Sequence, residues 1–270
     1  PLVDIDYIRR LKDKIFDVDV SERQGIDLQE QQQCDLLNEF ISYYQEIPFP
    51  EEPSEKQRYH LNNDFYAYSD GVCLYSMLRH ARPKRFIEVG SGYSSAAALD
   101  VNDRFFGGAI EFTFIEPYPE RLESLLKPDD RQSDRIKVIK SFVQDIPIAT
   151  FQDLEIGDIP FIDSTHVSKT GSDVNYLLFE VLPALNAGAH IHFHDAFYPF
   201  EYPSPWVYSV RSWNEAYLLR AFLQFNSAFQ VSYFNTFMER VHREKIGKHM
   251  PLCLVKPTKN LTIPGSLWIR

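Results

Sequence analysis

The sequence predicts an α/β fold, a doubly wound and mostly parallel seven-stranded sheet with an N-terminal helical cap. From Arg85 onward short apolar runs alternate with helical stretches, and the first run ends in a glycine turn, "RFIEVGSGYSSAAALD". Such alternation builds right-handed βαβ units whose strands are covered on both faces. Ahead of it lie two helical patterns without strands between them, which supply the cap.

The first pattern spans residues 3 to 16. The second spans 27 to 44, where Asp27 can cap and Leu28, Leu36, Leu37, Phe40, Ile41 and Tyr44 form an apolar stripe. A Pro- and Tyr-rich connection follows, and Ser69 or Asp70 is placed to cap a helix through "GVCLYSMLRHA" that Pro83 closes. The strands are then read at "RFIEV", "EFTFIE", "RIKVI", "DIPFID" and "AHIHFHD", with helices after Gly92, Pro117, Gln144 and Gly171. "NEAYLLRAFLQF" reads as a further helix, and "FQVSYF" and "GSLWIR" as the last two strands. The expected division is a cap with its connection over 1–82 and the sheet domain over 83–270.

The chain has 270 residues, 44% of them hydrophobic and 14% aromatic, which is enough for a sizeable core. Its formal charge of -10, with basic residues scattered among acids, argues against a nucleic-acid surface. A small-molecule substrate is the expected partner, and no apolar run approaches the ~20 residues that span a bilayer. Cys34, Cys73 and Cys253 lie far apart without a CxxC pair, so they suggest neither a thiolate metal site nor a disulfide scaffold, which fits a cytoplasmic protein. The opening residues are too charged for a signal peptide, and the start at Pro1 rather than Met leaves room for preceding residues.

A strand, a glycine turn and a helix together cradle nucleotide-like ligands at the helix N-terminus. A dinucleotide fingerprint needs G-x-G-x-x-G/A; here the third place is Ser95, and Glu88 adds a carboxylate at the mouth of the turn that would repel a pyrophosphate. A ligand with an ammonium and a sulfonium group suits it better. Glu116 ends the second strand, where a carboxylate can accept from both hydroxyls of a ribose, and Asp145 follows the third.

"EVGSGYSS", "FIEP" and "FVQD", in that order and spacing, resemble the cofactor motifs of class I S-adenosylmethionine-dependent methyltransferases, from about Lys84 to Arg270. The resemblance implies a Rossmann-like sheet ending in an antiparallel pair, here with an inserted helix near "FMERVHREKIGK". It further implies contacts to S-adenosylmethionine from Glu88, Gly90, Ser91, Gly92, Tyr93, Ser94 and Asp163, with Glu116 on the ribose and Asp145 near the adenine. A dinucleotide-dependent oxidoreductase and a non-catalytic methyltransferase-like binding protein are the competing readings.

The acceptor is expected at the ends of strands four and five, "FIDSTH" and "HFHD". These resemble small-molecule O-methyltransferases with an Asp-x-x-His and a His-Asp facing the pocket, so Asp163, His166, His194 and Asp195 are expected to meet. Asp163 and Asp195 are oxygen ligands suited to Mg²⁺ or another divalent ion; alternatively His166 or His194 is a general base, with Asp195 beside it. His192 is expected in the core. "FYPFEYPSPWVY" offers Phe197, Tyr198, Tyr202, Trp206 and Tyr208 as an aromatic pocket wall, with Tyr66, Tyr68, Trp213 and Asn214 as further candidates. Aromatic and sugar-like hydroxylated acceptors both suit such a wall.

Overall fold

A computed structural model describes residues 4–17, 25–258 and 262–270. Seven strands form one sheet in the order β3-β2-β1-β4-β5-β7-β6. They are β1 (Arg85–Val89), β2 (Glu111–Ile115), β3 (Ile136–Ile139), β4 (Ile159–Ile162), β5 (Ile191–His194), β6 (Val231–Phe234) and β7 (Ser266–Ile269). The first five run parallel, while β7 lies antiparallel between β5 and β6. Each strand falls where its apolar run was read.

The central strands are apolar because helices cover both of their faces. A row of rings crosses one face at mid-height: Phe112, Phe86, Phe161, His192 and Trp268, with successive centroids 5.4, 5.6, 3.8 and 4.5 Å apart. His192 belongs to this row, fully buried as expected. Burial and the nearby charge of His194 hold its pKa well below the usual range, so it packs as a neutral ring.

The N-terminal helices are α1 (Ile5–Ile15), α2 (Glu30–Tyr43) and α3 (Ser69–Ala81). Asp4, not a residue inside the helix, caps α1 by accepting from the Tyr7 N–H. Asp27 does not cap α2. It accepts from the Gln29 N–H in a turn two residues earlier, and Gln29 in a left-handed conformation begins the helix. Leu37 and Phe40 of the expected stripe are fully buried, joined by Gln33, whose Oε1 accepts from the Phe234 N–H at 2.7 Å. Ser69 is the first residue of α3 rather than its cap; that position is Tyr68, at φ 41°. The helix expected after Gln144 is reduced to a 3-10 turn over Val143–Asp145 and a short helix over Ala149–Gln152. The insert before β7 forms two helices, Asn235–Val241 and Arg243–His249, that meet at His242.

The connection after α2 is fixed by one cation. Arg58, 7% exposed, bonds Asp100 at 2.7 Å, Asp103 at 2.8 Å and Asp130 at 2.5 Å, while Asp100 also accepts the N–H groups of Arg58 and Tyr59 at 2.9 Å. This ties the connection to the helix after β1, α4 (Tyr93–Val101). Arg58→Ala leaves two buried carboxylates uncompensated and should cost ~3–5 kcal/mol, read as a lower urea midpoint; a midpoint equal to wild type would show that Asp100 and Asp130 need no partner.

Candidate active site

The site begins where β1 ends. Gly90 has φ +80°, and a Cβ there would stand 2.0 Å from the Asp163 carbonyl oxygen, so no other residue fits. The Asp163 N–H donates to the Val89 carbonyl at 2.8 Å, locking the end of β4 against the turn. Gly92 is less constrained: its Cβ would meet only the flexible Arg121 side chain, at 3.0 Å.

Glu88 lies beneath this turn and not at its mouth. It is fully buried, accepts from the hydroxyls of Ser94 and Ser95, and so braces the start of α4. Glu88 and Ser94, both expected at the cofactor, are hydrogen-bonded to each other. Burial pushes the Glu88 carboxyl up to about 8, against the pull of both serines. Tyr93 packs against His60 and Phe65, with ring centroids 5.5 and 6.1 Å away. Ser91 faces the turn, and its buried Oγ has no hydrogen-bond partner among the described residues.

Glu116 follows β2 and accepts from the Ser91 N–H at 3.2 Å and the Tyr118 N–H at 2.8 Å. These two bonds aim its carboxylate across the edge of the sheet while leaving lone pairs for a further donor. Asp145 ends the 3-10 turn after β3 and is exposed. Sequence reasoning missed Tyr118 and Phe142, 69% and 52% exposed at the ends of β2 and β3, with rings 6.3 Å apart edge to face. Two apolar rings open to water beside Glu116 are the signal that could have found them.

The ends of β4 and β5 bring Asp163, His166, His194 and Asp195 together. His166 Nε2 lies 3.4 Å from Asp163 Oδ1 and 3.4 Å from Asp195 Oδ2; His194 Nδ1 lies 3.4 and 3.6 Å from the same atoms. His166 and Asp195 both hold left-handed backbones, φ 58° and 54°, a strained state that turns their side chains into the cluster. Two further acids were not foreseen. Glu215, buried at the start of the helix Glu215–Leu223, accepts from His166 Nδ1 at 2.8 Å, and Asp70 on α3 lies 3.5 Å from His194 Nε2. Each comes from a distant segment as an ordinary acid in a helix's first turn, and carries no local motif.

Burial disfavours charge on His166, but Asp163, Glu215 and Asp195 outweigh it and raise its pKa to about 10. His194 is likewise raised well above its usual range against burial, by Asp195, Asp163 and Asp70. Asp163 is held far below the carboxylate range despite burial, whereas burial prevails at Asp195 and lifts it to about 6. The neighbouring carboxylates thus draw both imidazoles toward their protonated forms in the ligand-free cluster.

The cluster forms the floor of a cavity of about 700 Å³, walled by Phe65, Arg121, Trp206, Arg211 and Trp213. Trp213 lies 4.4 Å from the His166 ring, and Tyr66 lies 5.1 Å from His194. Of the other expected wall residues, Tyr202 accepts from the Ala216 N–H, Tyr198 packs on Phe237, Tyr208 meets Phe16 and Tyr68 donates to Glu51. Phe197 packs behind Trp206. Asn214 holds the loop, donating its N–H to the His166 carbonyl and accepting from the Ser168 N–H.

Residues 87–196 match a family model described as a methyltransferase domain. A protein of Archaeoglobus fulgidus, named only as uncharacterized, is 34% identical over 158 residues, which is 57% of this chain and 70% of that one. Among solved structures, a Podospora anserina methyltransferase with S-adenosylhomocysteine bound is similar over 99% of this chain and 96% of its own, at 18% identity and a TM-score of 0.46. The O-methyltransferase TomG of Streptomyces achromogenes, in complex with S-adenosylmethionine, is similar over 87% and 88%, at 13% identity and a TM-score of 0.47. The domain match sets aside the dinucleotide oxidoreductase.

Glu88 stays protonated in the fold up to about 8, but its ordinary value is 4.5. The folded chain thus holds a proton that the unfolded chain releases, and stability falls as pH rises through that window. Glu88→Gln mimics the protonated form and keeps both serine contacts, so its stability relative to wild type should grow from about pH 5 to about pH 8. Urea melts of the ligand-free proteins read this; parallel pH profiles would mean that Glu88 is ionised in the fold.

Proposed function

We propose that the chain is an S-adenosylmethionine-dependent methyltransferase, as the match of residues 87–196 to a methyltransferase domain supports, and that it methylates a hydroxyl of a small acceptor held over the Asp163, His166, His194 and Asp195 cluster. The observation that carries this is the contact between Gly90 and the Asp163 carbonyl. It sets the cofactor turn and the acceptor cluster side by side, as transfer between two bound molecules requires.

On this reading Glu116 accepts from the ribose hydroxyls, Tyr118 and Phe142 flank the adenine with Asp145 nearby, and Gly90, Ser91 and Gly92 line the methionine end. Asp163 lies between the two halves. The acceptor oxygen attacks the sulfonium methyl in line, the carbon–sulfur bond breaks, and the hydroxyl proton leaves.

Asp163, His166 and Asp195 each offer a donor atom within 4.8 Å of the other two, a set that suits Mg²⁺ or a similar divalent ion. Glu215 supports this fit. A metal-bound histidine commonly donates its other N–H to a carboxylate, and His166 Nδ1 already does so. Such an ion would lower the pKa of the acceptor hydroxyl. The chain's own residues orient the acceptor: Trp213, half-buried, offers an aromatic wall, and Arg121 and Arg211 on the rim favour an acceptor with an acidic group.

Glu116→Ala should weaken S-adenosylmethionine by ~1–3 kcal/mol in calorimetric titration; unchanged affinity would remove Glu116 from the ribose. A panel of phenolic and sugar-like hydroxyl compounds with labelled S-adenosylmethionine tests the acceptor half. The transfer found should be abolished by chelator, restored by Mg²⁺, and reduced ~10²–10⁴-fold in Asp195→Asn. Transfer indifferent to chelator would return the proton to a histidine, and transfer to none of the panel would overturn the acceptor class.

A further inference from the structure

A second set of donor atoms meets on another side of the molecule, where α2 touches the insert between β6 and β7. Glu30 and Cys34 lie one turn apart on α2, on the same face, and His242 sits at the break between the two insert helices. Cys34 Sγ is 3.1 Å from His242 Nε2, and Glu30 Oε1 is 3.1 Å from the same nitrogen. One donor atom from each residue lies within 4.8 Å of the other two. We propose that Glu30, Cys34 and His242 bind a zinc ion, or a divalent ion of similar softness, with water in the fourth position.

The convergence on one nitrogen decides between the uses of these residues. A thiol–imidazole pair built for nucleophilic attack has its acid on the opposite ring nitrogen, which leaves the first free to take the thiol proton. Here acid and thiol face the same nitrogen, so three electron-pair donors point at a common centre. Tetrahedral zinc, with bonds of about 2.3 Å to sulfur and about 2.0 Å to nitrogen or oxygen, holds its ligand atoms ~3.3–3.6 Å apart. The two separations to His242 Nε2, 3.1 Å each, need only open by a few tenths of an ångström to admit it.

Sulfur and imidazole select a borderline ion over Mg²⁺ or Ca²⁺. On binding, the metal–sulfur bond forms and the thiol proton passes to solvent. A search of the cysteines for a CxxC pair misses this site because two donors come from one helix and the third lies far along the chain. Its consequence is mechanical: the ion clips α2 to the insert, next to the Gln33 bond that joins α2 to β6.

Cobalt(II) tests this on the reduced, chelator-treated full chain, because a cobalt–thiolate bond gives a near-ultraviolet charge-transfer band that oxygen and nitrogen donors do not. The band should appear in wild type and in Asp163→Asn/Asp195→Asn, vanish in Cys34→Ser, and weaken in His242→Ala and Glu30→Ala. Zinc should raise the thermal midpoint of wild type and leave that of Cys34→Ser unchanged. Circular dichroism checks that each variant is folded, and Glu30→Ala, at an exposed position, guards against loss by misfolding. No band in wild type, or a band that survives in Cys34→Ser, would overturn the proposal.

Discussion

The approach of Gly90 to the Asp163 carbonyl is the contact on which the rest of the site depends. With no side chain at Gly90, the end of β4 closes on the turn after β1, and the Asp163 N–H reaches Val89. Strands β1 and β4 are neighbours at the switch of the sheet, where the loops after β1 lead one way and those after β4 the other. Ligands in such sheets lie in the crevice so made. The turn and the acceptor cluster therefore share one piece of backbone, and Asp163 belongs to both.

Burial does the second part of the work. Two imidazole rings sit among four buried or half-buried carboxyl groups, so each pair interacts more strongly than it would at the surface. The same burial that raises the Glu88 carboxyl under the turn also lifts that of Asp195, against the pull of His194 and His166. One carboxyl is thereby fixed as a brace and another left responsive to what enters the cavity. The left-handed backbone of His166 is held by its bonds with Asn214, Glu215 and Ser164.

The strands were legible because a strand covered on both faces must be a short apolar run, and each such run is bounded by a charged or turn residue. The quartet at β4 and β5 was legible for the same reason: its members follow directly on adjacent strands. Glu215 and Asp70 were not, because nothing in "WNEAYLL" or "YAYSD" marks which acid turns inward. The bracing of Glu88 was not legible either, because the sequence does not say that Ser94 and Ser95 reach back to it. Short-range caps failed similarly: Asp27 is taken up by a local turn with Gln29, and the Ser69 hydroxyl turns to Glu239. The separation of Glu30 and Cys34 from His242 hid their meeting altogether.

The place of β7 also sets an order of assembly. It inserts between β5 and β6, yet follows both in the chain. Until it arrives, the ladder edges of β5 and β6 that face it are unpaired, and an open edge is a template for unwanted pairing with other chains. Trp268 of β7 also completes the row of rings by closing over His192. During synthesis the turn after β1 and its partners on β2 and β3 are made before that edge is sealed. A nascent chain thus carries the turn after β1 and all of the Asp163, His166, His194 and Asp195 cluster before the strand that seals the gap between β5 and β6 is made.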